Sequence, residues 1–269
     1  MLICPLCGEK LVQDGKSYIC PNRHCFDMAR QGYVNLLPVQ NKHSLHPGDT
    51  KEMLMARRRF LETGKYLPIC QAVRKTAKEF CKSENPLIVD VGCGEGYYTR
   101  ALANSFENSQ TVGIDIAKDG VKMACSRGKD ITWVVGTASL LPVESGSADI
   151  VTAMFSLFMD GEYSRILKRG GIAIEVNAAT EHLMEMKEVI YDEVFPQDKK
   201  PSNHDETLFK RLYSQKHSFK FYVNNEELKD LLYMTPHLNR IKEENKNKLL
   251  QLEGMELTAA FWVSADMRL

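Results

Sequence analysis

Two clusters in this chain are spaced for chemistry. The first is Cys4-Pro5-Leu6-Cys7, followed after twelve residues by Cys20-Pro21-Asn22-Arg23-His24-Cys25. Two such knuckles can close a tetrahedral zinc site: Cys4, Cys7 and Cys20 supply three ligands, and the spacing allows either His24 or Cys25 as the fourth. A segment of about 25 residues buries too little apolar surface to fold unaided, so metal binding would supply its folding free energy. The second cluster is Ile88-Val-Asp-Val-Gly-Cys-Gly-Glu-Gly-Tyr-Tyr-Thr-Arg100, an apolar run ending in Asp90 and then Gly92, Gly94 and Gly96 at alternate positions. Glycines there let the main chain turn sharply and come against a ligand. A dinucleotide site would read G-x-G-x-x-G, but Tyr97 stands where its last glycine belongs.

These clusters need a scaffold of strands followed by helices. Leu87 to Val89 reads as a strand, and Tyr97 to Leu102 as the helix after the turn; Thr111 to Ile114 reads as a second strand ending in Asp115. A carboxylate about 20 residues beyond the glycine turn is placed to accept bonds from ribose hydroxyls. The glycine pattern resembles motif I of the class I S-adenosylmethionine-dependent methyltransferases. Thr137 to Pro142, Ser147 to Val151, and Arg165 to Gly171 leading into Ile172 to Val176 resemble, in order, the adenine-side loop, the fourth strand and the approach to the fifth strand of that superfamily. Arg169 stands where proline is usual. The resemblance implies an α/β fold with a doubly wound, Rossmann-like sheet, and S-adenosylmethionine held by Asp90, Gly92, Gly94, Glu95, Gly96 and Asp115.

A narrower resemblance rests on the amino-terminal third. Cys-Pro-x-Cys, Cys-Pro-x-x-His, the run from Phe26 to Pro38, and Gly-Glu-Gly-Tyr-Tyr-Thr are together similar to the bacterial 23S ribosomal RNA guanine-N1 methyltransferases, enzymes that join a zinc ribbon to a class I methyltransferase domain. This resemblance implies His24 as the fourth zinc ligand, Tyr66 folded over the cofactor, His182 near it, 23S rRNA as substrate, and a possible homodimer. Tyr233 to Pro236 matches a further family signature, whereas Leu157 stands where the family carries a proline facing the target base. The expected division is a zinc-binding segment 1–35, a helical connector 36–82 and a methyltransferase domain 83–269.

Methylation at guanine N1 removes a proton, so a base should exist. Asp160, Glu162 and His182 are the sequence-plausible groups, and nothing in the sequence ranks them.

Lys51 to Thr63 and Ile69 to Lys82 have helical spacing, and Arg57, Arg58 and Arg59 in the first cannot share one face. Arg57 and Arg58 are expected to touch phosphate. Residues 41–49, with His43 and His46, read as a loop, and 197–216 as a polar, flexible insertion. His217 to Val223 alternates like a strand, Asn225 to Tyr233 reads as a helix, and Leu257 to Val263 supplies the last strand.

Over 269 residues the 35 basic and 35 acidic side chains balance, but residues 1–80 hold 13 Lys and Arg against 7 Asp and Glu. A basic amino-terminal third points to nucleic acid. No run of 18 apolar residues and no basic-then-apolar leader is present, so neither a membrane span nor a secretory signal is expected. A cytoplasmic location follows, in which cysteines bind metal or stay free.

Overall fold

The apolar runs between residues 87 and 178 do form strands, alternating with helices as a parallel sheet demands. The computed structural model describes residues 1–38, 48–194 and 198–269; the expected loop around His43 and His46 lies outside them. The first unit is a three-stranded antiparallel sheet of β1 (Val12–Asp14), β2 (Ser17–Ile19) and β3 (Cys25–Asp27). The second is an eight-stranded sheet. Its strands in chain order are β4 (Tyr33–Asn35), β5 (Leu87–Val91), β6 (Gln110–Asp115), β7 (Ile131–Val135), β8 (Ala148–Met154), β9 (Leu167–Ala178), β10 (Phe209–Asn224) and β11 (Gly254–Arg268). They lie side by side as β10-β11-β9-β8-β5-β6-β7-β4. The strands from β9 to β4 pair in parallel, and β11 and β10 close the other edge antiparallel. The order reverses between β5 and β8, the switch point where ligands of open α/β sheets bind.

The ribbon is welded to this sheet. Ile3 N–H donates to Pro142 O (3.0 Å), Glu144 N–H donates to Met1 O (2.9 Å), and Leu2, Leu11 and Leu36 enter the same core as Leu141 and Val143. Strand β4, within the segment expected to bind zinc, extends the large sheet by pairing Tyr33 with Trp133.

Helices α1 (Lys51–Glu62), α2 (Leu67–Phe80), α3 (Tyr97–Ala103), α4 (Lys118–Ala124), α5 (Asp160–Ile166), α6 (Met184–Ile190), α7 (Asn225–Tyr233) and α8 (Glu243–Leu250) complete the chain. Thr50 caps α1 by accepting from Met53 N–H, and Asn224 and Glu227 form a reciprocal capping box on α7. Two ion pairs clamp α1 and the turn after it to α7: Arg59 with Asp230 (2.5 Å) and Lys65 with Glu227 (2.9 Å).

The expectation of a flexible insertion over 197–216 is corrected from residue 209 onward. Phe209–Asn224 is one long edge strand paired along its length with β11, its outward side chains in solvent. Solvated edges are polar by necessity, and so this strand imitates a loop in sequence.

Gly96 has φ 85°, and a Cβ there would stand 2.7 Å from Trp133 Cη2 and 3.0 Å from the Ala124 methyl. Gly96→Ala should therefore cost about 2 to 4 kcal/mol through strain and overpacking. Urea unfolding of the variant measures it.

Candidate functional site

The metal cluster forms from two knuckles. Gly8 N–H donates to Cys4 O (2.8 Å), and Arg23 N–H donates to Cys20 O (2.8 Å), with Gly8 and Arg23 both at positive φ. These turns bring Cys4, Cys7, Cys20 and His24 together, all four ligand atoms within 4.8 Å of one another. A tetrahedral zinc with Zn–S about 2.3 Å and Zn–N about 2.0 to 2.1 Å puts sulfurs about 3.8 Å apart and sulfur and nitrogen about 3.5 Å apart. The protein has 3.7 Å for Cys7 Sγ to Cys20 Sγ and 3.4 Å from His24 Nδ1 to both Cys4 Sγ and Cys20 Sγ, so the residues fit zinc. Backbone N–H donation from Glu9 holds the Cys7 thiol down at about 6, which favours the thiolate a metal needs. Cys25 is exposed, its thiol 4.0 Å from Asp27 Oδ1 and outside the cluster.

The glycine turn opens onto a cavity of about 870 Å³ at the carboxyl ends of β5, β6, β8 and β9, roofed by α1 and by residues 234–240 after α7. Gly92 and Gly94 line it with φ 78° and 55°, and a Cβ on Gly92 would collide with Ser156 Cβ at 2.6 Å. Asp115 lines it too, accepting from Gly94 N–H (2.8 Å) through one oxygen and Ala117 N–H (2.7 Å) through the other. Burial pushes its pKa up, and the two amides oppose the rise. Its remaining lone pairs can take hydroxyls from the cavity.

Tyr66 reaches the cavity from the turn between α1 and α2, buried against Phe60 and Phe221, and its hydroxyl has no protein partner. A buried hydroxyl without a partner is costly, and on a residue that lines a cavity it marks a place where a ligand's polar group could relieve that cost. His182 is 6.2 Å from Tyr66 and 6.0 Å from Phe155, ring centre to ring centre. Its Nδ1 accepts from Ala260 N–H (3.3 Å), and burial drives its pKa down to about 3, which leaves the ring neutral with Nε2 protonated.

Of the other expected residues, Asp90 and Gly96 sit close by without lining the cavity, and Glu95 lines its edge. Asp90 is buried beneath the turn, accepting from Thr99 Oγ1 (2.5 Å) and Thr152 Oγ1 (2.7 Å), and burial raises its pKa. It ties β5 to α3 and β8. Gly96 packs on Trp133. Glu95 reaches the cavity edge, but its carboxylate accepts from Arg127 and from Tyr97 N–H.

Arg57 lines the cavity over Gly94, paired with Asp49 (2.7 Å) and donating to Met234 O (3.2 Å). Arg58 pairs with Glu62 (3.2 Å) and donates to Ser126 Oγ (2.6 Å). Both arginines expected to touch phosphate are thus engaged inside the molecule. Of the expected bases, Asp160 is taken up by His204 (3.0 Å) and Asp205 N–H (3.3 Å), and Glu162 by Leu141 N–H (2.6 Å) and Arg165 (2.7 Å).

The segment after β8 presents Phe155 at φ 53°, with Phe155 39% and Leu157 70% exposed. A bulky residue at positive φ is strained, and such strain collects at functional sites. Sequence reasoning missed Lys187, Lys199, His237 and Arg240, which also line the cavity. They arrive from three separate segments, and no local pattern joins them.

Two family models match this chain: the RlmA amino-terminal zinc-ribbon family over residues 2–45 and a methyltransferase domain over 88–171. A provisionally named 23S rRNA (guanine-N(1)-)-methyltransferase of Bacillus subtilis (strain 168) is 32% identical over 200 residues, 71% of this chain and 69% of that protein. The 23S rRNA (guanine(748)-N(1))-methyltransferase of Streptomyces fradiae is 31% identical over 191 residues, 70% of this chain and 67% of that one. In fold, a chain from the solved complex between the Haloferax volcanii Trm112 methyltransferase activator and its candidate methyltransferase superposes with TM-score 0.51 at 18% identity, covering 82% of this chain and 98% of that one. Among the described residues no helix is long and apolar enough to cross a membrane.

Two outcomes follow from this geometry. Cys25→Ser should keep its full complement of zinc and His24→Ala should lose it, read by metal analysis of the purified proteins. His182 and His237 titrate near 3 and 4 when folded, against the usual 6.5, because burial disfavours their charge. The unfolded chain then binds the extra protons, so the stability they contribute is whole above pH 6.5 and drains away as pH falls toward 4. A His182→Gln/His237→Gln double variant should lose stability more shallowly than the parent over that window in urea titrations; zinc ligands are common to both proteins and drop out of the comparison.

Proposed function

Because this chain belongs to the family of 23S rRNA (guanine-N1)-methyltransferases, we propose that it methylates N1 of a guanine in 23S ribosomal RNA, with S-adenosylmethionine as methyl donor. The observation that carries the reading is the cavity itself: a glycine turn, a carboxylate and a tyrosine whose hydroxyl has no protein partner all line one concavity of about 870 Å³, large enough for a cofactor and a second planar group. S-adenosylmethionine would supply an electrophilic methyl on an already positive sulfur, which needs no acid to leave.

In this reading Gly92 and Gly94 let the main chain meet the cofactor, Asp115 takes the ribose hydroxyls, and Tyr66 and His182 close over it. Asp90, Glu95 and Gly96 act one layer below, holding the turn in shape. The neutral His182 can donate from Nε2 but is too weak a base to remove a proton at neutral pH. Catalysis then rests on aligning N1, the methyl group and the sulfur. The proton on guanine N1 passes to solvent at the mouth of the cavity.

N1 of a paired guanine is inaccessible, so the target must be unpaired or extruded, as in a hairpin loop. Phe155 and Leu157 offer it an apolar platform beside the cavity. The zinc ribbon, fixed to the sheet edge through Ile3 and Pro142, supports a role in seating folded RNA. The division into ribbon 1–35, connector 36–82 and methyltransferase domain 83–269, a homodimer with paired ribbons flanking the RNA, and a cytoplasmic location complete the proposal; their support is the family resemblance.

Labelled methyl transfer to rRNA fragments, followed by mapping of the modified base, tests it. Label should appear on a guanine and block the Watson-Crick edge to reverse transcription; transfer to another base or to none overturns it. Asp115→Ala should weaken cofactor binding at least about tenfold by calorimetry, since a charged acceptor is lost. With no enzyme base, kcat/KM for RNA should climb steadily with pH across neutrality. A flat profile between pH 6.5 and 8.5 would mean that a protein group takes the N1 proton.

A further inference from the structure

One wall of the cavity has no task in this scheme. Lys187 of α6, Lys199 and Arg240 line it beside His237. Arg57, in the same cavity, is neutralised by Asp49 at 2.7 Å; among the described residues none of these three cations has an ion-pair partner. They repel one another instead. Burial and the neighbouring Lys199 depress Lys187, and both lysines help to hold His182 and His237 neutral. In a chain of zero formal net charge, uncompensated cations gathered around one concavity raise its potential and draw in an anion.

We propose that Lys187, Lys199 and Arg240 form a subsite for the RNA backbone phosphate beside the nucleotide being methylated. This rests on the function proposed above. The cofactor's carboxylate is a weaker claimant than a phosphate, because S-adenosylmethionine brings an ammonium and a sulfonium with that single negative group, and calorimetry on the cofactor separates the two occupants. The wall is also reached across a row of rings that starts at the helix after the glycine turn: Tyr98 to Phe155 at 6.5 Å, then Phe155 to His182 at 6.0 Å with 29° between planes. A base lying on this row would bring its sugar-phosphate beside Lys187 and Lys199, whose charges already act on His182 at the end of the row. Lysines on flexible stems suit such a contact, which demands charge rather than fixed direction and positions the nucleotide without reading sequence.

The test uses the full chain, a 23S rRNA hairpin fragment that the parent methylates, and a potassium chloride series. Lys187→Gln, Lys199→Gln and Arg240→Gln should each raise KM for RNA roughly five- to twentyfold, leave kcat within about twofold, and reduce the slope of log affinity against log salt by about one. Cofactor affinity by calorimetry should not move. Lys187→Arg should restore binding, which a purely structural role for Lys187 would not predict. Lys220→Gln, which removes an exposed lysine paired with Glu256, is the control for charge alone and should change nothing. Unchanged RNA KM and salt slope in all three variants overturn the proposal; so does weakened cofactor binding with RNA binding intact, which would give the wall to the cofactor carboxylate. Should the parent methylate no RNA, the functional reading fails separately, and filter retention of the same hairpin still decides the subsite: equal salt slopes for parent and triple variant overturn it.

Discussion

The bond from Gly94 N–H to the Asp115 carboxylate is the constraint on which the rest of the site depends. It joins the turn after β5 to the end of β6, in a turn where Gly92, Gly94 and Gly96 all take left-handed angles. Below it, Asp90 is held by Thr99 and Thr152, so the turn is fixed to the helix that follows and to the neighbouring strand. One carboxylate faces the cavity and the other is sealed under it. The two share a raised pKa from burial but differ in duty, since Asp90 has both oxygens satisfied by side chains and has no route to the cavity. A turn tied from two sides can present bare backbone to a ligand without collapsing into the space.

The same logic of shared restraint joins the metal unit to the catalytic sheet. A ribbon with strands of three residues cannot hold itself in place by burial, and here the knuckles do the folding while Leu2 and Leu11 do the docking. Docking is onto residues 141–144, immediately after the loop that resembles the adenine side of the cofactor site. Glu162 and Arg165 brace that loop from behind through Leu141 and Val143. The metal knuckles, the ribbon and the loop of residues 137–144 are therefore one continuous solid, and loss of metal would be felt at Thr137 and Ala138 as well as at the ribbon.

Much of this was legible in the residues. The cysteine spacing, the glycine turn, Asp115 and the helices at 51–62 and 225–233 are local patterns, each set by neighbours within a few positions. What escaped is non-local. The first half of a 16-residue edge strand, residues 209–216, reads as a loop because one face is wet, although His217 to Val223 reads as strand, and the choice of His24 over Cys25 depends on where the opposing knuckle stands. Arg57 and Arg58 suggested phosphate contact, yet Asp49, which lies outside α1, pairs with the first and Glu62 with the second, as Asp230 of α7 pairs with Arg59. Periodicity shows which face a charge occupies and is silent on what waits across the gap.

That exchange has a consequence for how a protein of zero net charge can handle a polyanion. The consecutive arginines, half of the basic excess in the amino-terminal third, are held in pairs that include two pinning α1 over the cavity, so the count of charges overstates the surface offered to RNA. In the proposal above, the field that a phosphate would feel comes instead from cations that have no ion-pair partner among the described residues, and those are set at the cavity wall. Non-specific affinity scales with the number of phosphates neutralised, so a protein arranged this way binds duplex weakly and gains its free energy only where a loop lets a nucleotide enter. Selectivity for an extruded base then needs no reading of sequence by the arginines of α1. It follows from having placed the unspent charge beside the chemistry and spent the rest on holding the roof.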